Sequence, residues 1–158
     1  MAKSRVVEGA GKVGLADTPS ASGGVLIPEM SRQIAPSLTI NDIDGKPITL
    51  AEYKGKVVLL DFWAVNCGGC KLEIPWYVQF DQKYHREGLR LIGIDMYGES
   101  ISVMKPFMQR SHITYQVAVG TDFIGERFHV QEMPLTLLID RQGRIALLAR
   151  WSCRQGFF

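Results

Sequence analysis

The sequence predicts an α/β fold in which helices cover both faces of a central sheet. Two apolar runs, "KVVLLDFWA" at 56–64 and "LRLIGIDMY" at 89–97, are nearly continuous and therefore typical of strands buried on both faces. Segments with helical spacing alternate with these runs, which is the order expected when helices pack against a sheet. The 158 residues are enough for one domain with an additional arm.

The N-terminal residues 1–35 are predicted to form a flexible arm, because they are rich in Gly, Ala and Ser and lack a periodic apolar pattern. The folded domain is predicted for residues 36–150. It begins with a β-hairpin in "SLTINDIDGKPITL", where Asp44 and Gly45 supply the turn and apolar residues alternate around it. A single helical turn in "AEYKG" then leads to the first buried strand.

A helix is predicted for "CKLEIPWYVQFDQKYHREG", directly after the two glycines at 68 and 69. The apolar residues Leu72, Trp76 and Phe80 recur at helical spacing, and the series continues at 83–84. Pro75 lies inside this segment and is expected to kink the helix. Gly88 is expected to end it.

The second half of the chain continues the alternation after the strand at 89–97. A helix is predicted in "SISVMKPFMQRSH", where Pro106 is tolerated only near the first turn. A strand follows in "TYQVAVG", and then a short helix in "TDFIGERFHV" with Thr121 and Asp122 as its cap. The strands "PLTLLID" and "RIALLAR" are predicted to form a hairpin around the turn at 141–143.

Composition excludes several classes of protein. A net charge of +2 without a run of Lys and Arg predicts no nucleic-acid partner. Three cysteines do not form a disulfide scaffold, because one is left over. The first 35 residues contain no apolar run longer than Val25–Ile27, so no signal peptide or membrane-spanning segment is visible in this sequence.

The most informative motif is Cys67-Gly68-Gly69-Cys70, which follows a buried strand and opens a helix. Unpaired backbone N–H groups and the positive end of the helix dipole favour a thiolate at that position. Cys67 is expected to have a pKa below the usual value of about 8.5, which makes it the nucleophile. Cys70, one helical turn further on, is shielded and placed to resolve a mixed disulfide.

Two other interpretations of the motif are weaker. A zinc site needs four ligands, but the chain has no second C-x-x-C or H-x-x-x-H pair, and its three histidines are scattered. A copper site formed by both thiols and His129 has no supporting spacing. Two inert buried thiols would leave the consecutive glycines unexplained, because glycine at a helix start costs backbone entropy. The context therefore favours a redox dithiol.

The stretches "VVLLDFWAVNCGGCKLEIP", "MPLTLLIDRQGRI" and "APSLTINDIDGKPITLAEYKGK" resemble the thioredoxin superfamily, in particular its TlpA/ResA branch of thiol–disulfide oxidoreductases. Some members of that branch are grouped with AhpC/TSA and redoxin proteins. The resemblance runs from about residue 35 to about residue 148. It implies a three-layer α/β/α sandwich with a mixed central sheet and an N-terminal hairpin.

Proteins of this kind continue after the last strand into a helix that covers one face of the sheet. The segment 151–158 is too short for that helix and is expected to be an atypical tail, with Cys153 incidental to function. The resemblance therefore predicts a sheet face without its C-terminal helix. An uncovered apolar face of this kind predicts lower stability or self-association.

By resemblance, Cys67 is the nucleophile and Cys70 the resolving thiol, and together they form the redox disulfide. Asp61 matches a buried carboxylate beneath the dithiol, where a raised pKa suits it to accept the Cys70 proton. The alternative is a strand-end aspartate that reaches solvent. Glu73 matches an acidic position beside the active site of ResA-like proteins, with an ordinary solvated helix carboxylate as its alternative.

Met133 and Pro134 match the cis-proline loop of the family, whose backbone binds an extended substrate. Trp63 is included with them as a substrate-binding residue. The sequence departs from the family pattern at Asn66, where a tryptophan or similar residue is usual, and at Gly69, where proline is common. These departures concern redox potential and partner choice.

The expected function is thiol–disulfide exchange with protein substrates and an upstream redox partner, with no bound cofactor and no metal. Resemblance suggests an extracytoplasmic location, with the cytoplasm as the alternative; any membrane association requires a segment outside this sequence. One alternative function is a thiol peroxidase, although Ala64 stands where a peroxidatic site places a hydroxyl. A thiol-based metallochaperone is another.

Overall fold

The computed structural model describes residues 23–150, and residues 1–22 and 151–158 lie outside the described part of the chain. The strands and α-helices are β1 Gly23–Leu26, β2 Thr39–Asn41, β3 Pro47–Thr49, β4 Val57–Trp63, α1 Gly68–Tyr84, β5 Leu89–Asp95, α2 Ile101–Arg110, β6 Gln116–Val119, α3 Asp122–Arg127, β7 Leu135–Ile139 and β8 Ile145–Arg150. Short 3₁₀ helices lie at Glu29–Ser31, Leu50–Tyr53 and His85–Glu87.

The main sheet is mixed, and β4 lies near its centre. Its strand order is β1-β8-β7-β4-β5-β6, with β4 parallel to β5 and antiparallel to β7, while β2 and β3 form a separate hairpin. Strand β4 occupies this position because it is apolar on both faces: Leu60 and Phe62 are fully buried on one, and Leu59 and Trp63 are buried on the other.

Two apolar clusters lie on opposite sides of this sheet. On one side α3 and the β2–β3 hairpin cover it, and the rings of Phe62 and Phe128 pack 5.2 Å apart. On the other side α1 and α2 cover it, and Trp63 stacks on Phe107 at 5.4 Å. The predicted α/β class with helices on both faces is confirmed.

The prediction of a flexible arm is wrong for residues 23–26. Residues 23–26 form β1, which pairs antiparallel with β8 at the edge of the sheet, and Ile34 bridges to Arg144. The sequence "GGVL" is too short to show a strand pattern by itself; the free edge of β8 supplies the backbone partners that order it. The remainder of the predicted arm lies outside the described residues.

Helix α1 begins two residues earlier than predicted and buries a different face. Cys67 is its N-cap, so both glycines of the motif belong to the first helical turn. Its buried side chains are those of Cys70, Ile74, Tyr77 and Val78, which follow an i, i+4, i+7, i+8 pattern. The series chosen from sequence faces outward, with Leu72 63% and Trp76 59% exposed.

The other elements follow the prediction with one exception. Thr121 caps α3 by accepting a hydrogen bond from the Ile124 backbone N–H at 3.3 Å, and Gly88 has a left-handed φ of 99° after the helix at 85–87. Pro106, however, is the sixth residue of α2 rather than part of its first turn. It deprives the carbonyl of Ser102 of a helical partner, and Ser102 is exposed, so water can satisfy that carbonyl.

The tail at 151–158 lies outside the described residues. The sheet face that was predicted to lack a C-terminal helix lies within them. Between α1 and the strands β7 and β8 runs an apolar groove of about 570 Å³. Its lining includes Tyr77, Phe80, Tyr84, Leu138 and Leu147. The groove therefore lies on the α1 side of the sheet, where α1 covers β7 and β8 only partly.

Gly93 on β5 is required by the close approach of Trp63. A Cβ added at Gly93 would lie 2.9 Å from Trp63 Nε1, in a ring that is itself packed on Phe107. We expect Gly93→Ala to lower the free energy of unfolding by about 1–3 kcal/mol, as overpacking of a core does. Urea unfolding measures this change. Gly68→Ala, where the added Cβ meets nothing within 4 Å, is the matched control and should not lower stability; equal losses in both variants would contradict the packing argument.

Candidate active site

The two cysteines of the motif lie at the start of α1 and are joined. The sulfur atoms of Cys67 and Cys70 are 2.04 Å apart, and the Cα atoms are 5.2 Å apart. The Cys70 backbone N–H donates to Cys67 Sγ at 3.2 Å, so the cap of this helix is a sulfur atom. Cys67 is half-buried and Cys70 is 1% exposed. A partner therefore reaches the Cys67 sulfur first, at the positive end of the helix dipole.

Asp61 is a buried carboxyl on the face of β4 that α1 covers. It is 1% exposed, and its Oδ1 has no hydrogen-bond partner among residues 23–150. Burial raises the pKa of Asp61 well above its usual range, the negative charge of Glu73 raises it further, and a hydrogen bond with Thr136 opposes the increase. Asp61 does not reach solvent, which excludes the alternative of a solvated strand-end aspartate.

Glu73 is tied to the sheet by two hydroxyl groups. The Tyr77 hydroxyl donates to Glu73 Oε2 at 3.2 Å, and the Tyr77 and Thr136 hydroxyl oxygens are 2.7 Å apart. Thr136 lies directly opposite Asp61 in the β4–β7 register. Burial raises the pKa of Glu73, against the hydrogen bond from Tyr77. Glu73 is therefore a half-buried member of the same polar group as Asp61, rather than a solvated carboxylate.

A second pair of carboxyls supports the loop that carries Cys67. The Val65 backbone N–H donates to Glu99 Oε2 at 3.1 Å, and the Glu99 backbone N–H donates to Asp95 Oδ2 at 2.9 Å. Burial raises the pKa of Glu99, and a hydrogen bond with Asp95 adds to the increase. This pair joins the end of β5 to the segment immediately before the dithiol.

The Met133–Pro134 peptide bond is cis, as the family resemblance implies. Pro134 is buried. Met133 and Cys67 are both half-buried and pack against the same apolar cluster, which contains Cys70. Met133 also lines a cavity of about 660 Å³, together with residues such as Tyr97, Glu126, His129 and Glu132. The loop before β7 thus connects the dithiol cluster with an open cavity.

Trp63 does not occupy the place predicted for it. Its side chain is 1% exposed and stacked on Phe107 in the core. A side chain so placed cannot contact a substrate in this conformation, so its assignment as a substrate-binding residue is wrong. The sequence places this aromatic residue at the end of a buried strand, but only the packing against Phe107 of α2 shows that its ring faces inward.

Sequence reasoning missed Tyr77, Thr136 and Glu99. The spacing of Glu73 and Tyr77, four residues apart on a helix, was the available signal for one contact. Thr136 is a single polar residue in the apolar strand "PLTLLID", and a buried polar group of that kind requires a partner. No local pattern relates Glu99 to Val65, because a loop between β5 and α2 brings them together.

No metal site is evident in residues 23–150, where no three His, Cys, Asp or Glu side chains converge. None of the helices described in this range is both long and apolar enough to cross a bilayer.

The sheet order, the Cys67–Cys70 pair at the start of α1 and the cis-proline define a thioredoxin-like protein with a C-x-x-C site. The family model described as the AhpC/TSA family matches residues 32–148, and the chain belongs to this family. The family resemblance predicted from the sequence is confirmed, as is the thioredoxin-like fold.

Named relatives share about a third of the aligned residues. The thiol-disulfide oxidoreductase ResA of Bacillus cereus is 34% identical over 113 residues, which cover 70% of this chain and 64% of the relative. ResA of Bacillus subtilis is 30% identical over 112 residues, covering 70% and 62%. The crystal structure of a thiol:disulfide interchange protein of the thioredoxin family from Chlorobium tepidum has a TM-score of 0.68 at 28% identity, covering 74% of this chain and 84% of that one. The chain spans less than two thirds of the length of the two ResA relatives.

Proposed function

We propose that this protein is a thiol–disulfide oxidoreductase that exchanges disulfides with protein substrates through Cys67 and Cys70. The observation that carries the proposal is the joined pair at the N-terminus of α1, with one sulfur accessible and the other buried. The names of the ResA relatives and of the Chlorobium tepidum protein support it. The chemistry needs only the two thiols and no bound cofactor.

In the proposed reaction the Cys67 thiolate attacks a disulfide of the substrate. A Cys67–substrate bond forms, and the first substrate sulfur leaves with the electron pair of the broken bond. Cys70 then loses its proton and attacks the Cys67 sulfur, which closes the protein disulfide and releases the second substrate thiolate. The substrate gains two electrons and the dithiol loses two.

We assign the supporting roles to residues around the dithiol. Asp61 accepts the Cys70 proton, because it is buried on the α1 side of the sheet and its pKa is raised. Glu73 assists Asp61 as the half-buried carboxyl of the same polar group. Met133 and Pro134 bind the substrate backbone beside the dithiol, where the peptide bond between them is cis.

The partners in this proposal are protein thiols and disulfides, together with an upstream redox protein that returns the dithiol to its starting state. Proteins of the TlpA/ResA branch work mainly outside the cytoplasm, which supports an extracytoplasmic location, with the cytoplasm as the alternative. The reduction potential of the Cys67–Cys70 pair, measured against glutathione, tests the direction of electron transfer and the location. A value of about −120 mV indicates an oxidant, and a value of about −270 mV indicates a reductant.

The activity is tested by reduction of insulin disulfides with dithiothreitol as electron donor. The wild-type protein should accelerate the reaction, and Cys67→Ser should lower the rate to that of dithiothreitol alone, because the only accessible sulfur of the pair is lost. Cys153→Ser, which removes the third cysteine, is the matched control and should keep full activity. Undiminished insulin reduction by Cys67→Ser, or hydrogen peroxide consumption in place of insulin reduction, would exclude the proposed function.

A further inference from the structure

Four polar side chains form a chain between the sheet and α1. Asp61 lies directly opposite Thr136 where β4 pairs with β7, the Thr136 and Tyr77 hydroxyl oxygens are 2.7 Å apart, and the Tyr77 oxygen is 3.2 Å from Glu73 Oε2. A hydrogen bond with Thr136 lowers the pKa of Asp61, as expected for neighbouring polar groups. Asp61, Thr136 and Tyr77 are 1%, 5% and 8% exposed, whereas Glu73 is half-buried. The chain therefore leads from a fully buried carboxyl to one that water can reach.

The number of hydrogens in this chain determines its protonation. Three links between oxygen atoms need three hydrogens, and the hydroxyls of Thr136 and Tyr77 supply two of them. If both carboxyls are ionised, one link has no hydrogen, which is costly in a buried site. If both are protonated, there are four hydrogens for three links. A single proton held by the pair of carboxyls satisfies every link.

We propose that Asp61 and Glu73 share one proton through Thr136 and Tyr77, and that this relay carries the proton released by Cys70 away from the dithiol. The chain has two hydrogen patterns. In one, Asp61 donates to Thr136, Thr136 to Tyr77, and Tyr77 to Glu73; in the other, every link is reversed. When each hydrogen crosses its own link, a proton passes from Asp61 to Glu73 without movement of a heavy atom.

The relay rests on the proposed function and completes its second step. With the shared proton on Glu73, Asp61 is ionised and accepts the Cys70 proton as Cys70 attacks the Cys67 sulfur. The new S–S bond forms, and the substrate leaves as a thiolate. Glu73 then releases its own proton to water, and the three hydrogens shift so that Asp61 is ionised again. The net change is one proton from Cys70 to solvent.

The two phenols beside these carboxyls are consistent with three hydrogens for the three links. Tyr77 on α1 keeps its hydroxyl hydrogen, because burial and then the charges of Asp61 and Glu73 raise its pKa. Tyr115, before β6, is the other phenol that faces Asp61, and burial and the Asp61 charge raise its pKa as well. Both phenols are therefore neutral wherever the carboxyls titrate. Asp81 on α1 also faces Tyr115, and its charge adds to the increase in the pKa of Tyr115.

The first test does not depend on activity. In carbon-13 NMR of the oxidised protein, the Asp61 and Glu73 carboxyl signals should change together in a common titration step. Thr136→Val breaks the chain and should separate the two titrations, although Thr136 does not contact Glu73. Thr136→Ser restores the hydroxyl and should restore the common step. Tyr84→Phe, which removes a phenol from the same helix outside the chain, is the matched control. Separate steps in the wild type, or a common step in Thr136→Val, overturns the shared proton.

The second test follows the resolution step with glutathione disulfide as the oxidant. Acid quenching and mass spectrometry measure the formation and decay of the Cys67–glutathione adduct. Thr136→Val and Tyr77→Phe should form the adduct at the wild-type rate but resolve it about tenfold more slowly, which is less than the loss of a general base. In Thr136→Val the acidic limb of the resolution profile should move to higher pH, because the Thr136 hydrogen bond lowers the pKa of Asp61.

These outcomes separate the relay from the proposed function. Thr136→Ser and Tyr84→Phe should resolve the adduct at close to the wild-type rate, which distinguishes loss of the relay from loss of packing. Wild-type resolution rates and an unmoved pH profile in both Thr136→Val and Tyr77→Phe overturn the relay while the exchange activity stands. Absence of the Cys67 adduct in Cys70→Ser, in which no second thiol resolves it, excludes the proposed function instead, and the carboxyl titration still decides the shared proton.

Discussion

Cys70→Ser is expected to stop disulfide exchange after its first step, with the protein covalently joined to its substrate through Cys67. The reason is the difference in burial: Cys67 is half-buried at the helix end, and Cys70 is 1% exposed behind it. The first sulfur can be reached by a protein substrate, but the bond that it forms is broken efficiently only by the second. Without Cys70 the mixed disulfide therefore accumulates.

Non-reducing electrophoresis and mass spectrometry of reduced Cys70→Ser mixed with insulin measure this adduct. It should account for most of the protein, whereas wild type should show only a transient trace. Cys67→Ser and the double variant Cys67→Ser/Cys70→Ser are the controls and should form no adduct. An adduct attached to Cys70 in Cys67→Ser, at a rate comparable to that of Cys70→Ser, would reverse the assigned roles.

Asp61→Asn is expected to stabilise the protein at neutral pH and to slow resolution of the mixed disulfide. Burial raises the pKa of Asp61 in the folded state, so the folded protein binds the proton more tightly than the unfolded chain. The stability contributed by this proton is present below the unfolded pKa of about 3.9 and is lost as the pH rises through the folded value. Each unit of the shift corresponds to about 1.4 kcal/mol.

Urea unfolding measures the effect between about pH 3, which is below the unfolded pKa, and about pH 8. The two proteins should be equally stable at the acidic end, and Asp61→Asn should become the more stable one as the pH rises. Asp140→Asn is a control of opposite sign: burial raises the pKa of Asp140, but hydrogen bonds from Arg144, Arg32 and Gln142 outweigh it, so the pKa is lowered. That variant should lose stability at neutral pH.

The catalytic part of the same prediction is independent of stability. Asparagine cannot accept the Cys70 proton, so resolution by Asp61→Asn should be about a hundredfold slower, within the usual contribution of a general base. Adduct formation at Cys67 should be unchanged. A variant that is stabilised but resolves the adduct at the wild-type rate would show that Asp61 is not the base.

Helix α1 shows why periodicity alone did not determine the site. Its sequence contains two series at helical spacing, Leu72-Trp76-Phe80 and Cys70-Ile74-Tyr77, and either satisfies an amphipathic pattern. The first contains the larger apolar residues and was the natural choice from sequence. The second is buried, because it packs in the apolar cluster between α1 and the sheet. Tyr77 is thereby placed between Glu73 and Thr136.

The strand β1 shows a similar limit at the edge of the sheet. Four residues, "GGVL", carry no strand signal, and their order comes from backbone hydrogen bonds to β8. Pairing between strands that are more than a hundred residues apart in sequence is a tertiary property. Local composition described this segment as part of an arm, although it closes one edge of the sheet.

The sequence by itself determined the α/β class, the central strand β4 and the dithiol, because each depends on local apolar runs or on a short motif. The family resemblance supplied the cis-proline position and the carboxyls Asp61 and Glu73. Only the tertiary structure decided which hydroxyl groups connect those carboxyls. Asp61 and Thr136 lie on strands 75 residues apart (136 minus 61) and meet because β4 and β7 pair in one register. Their connection to Glu73 runs through Tyr77 and depends on how α1 packs, and burial is what raises the pKa of both carboxyls. Neither the register nor the packing is encoded in a local pattern.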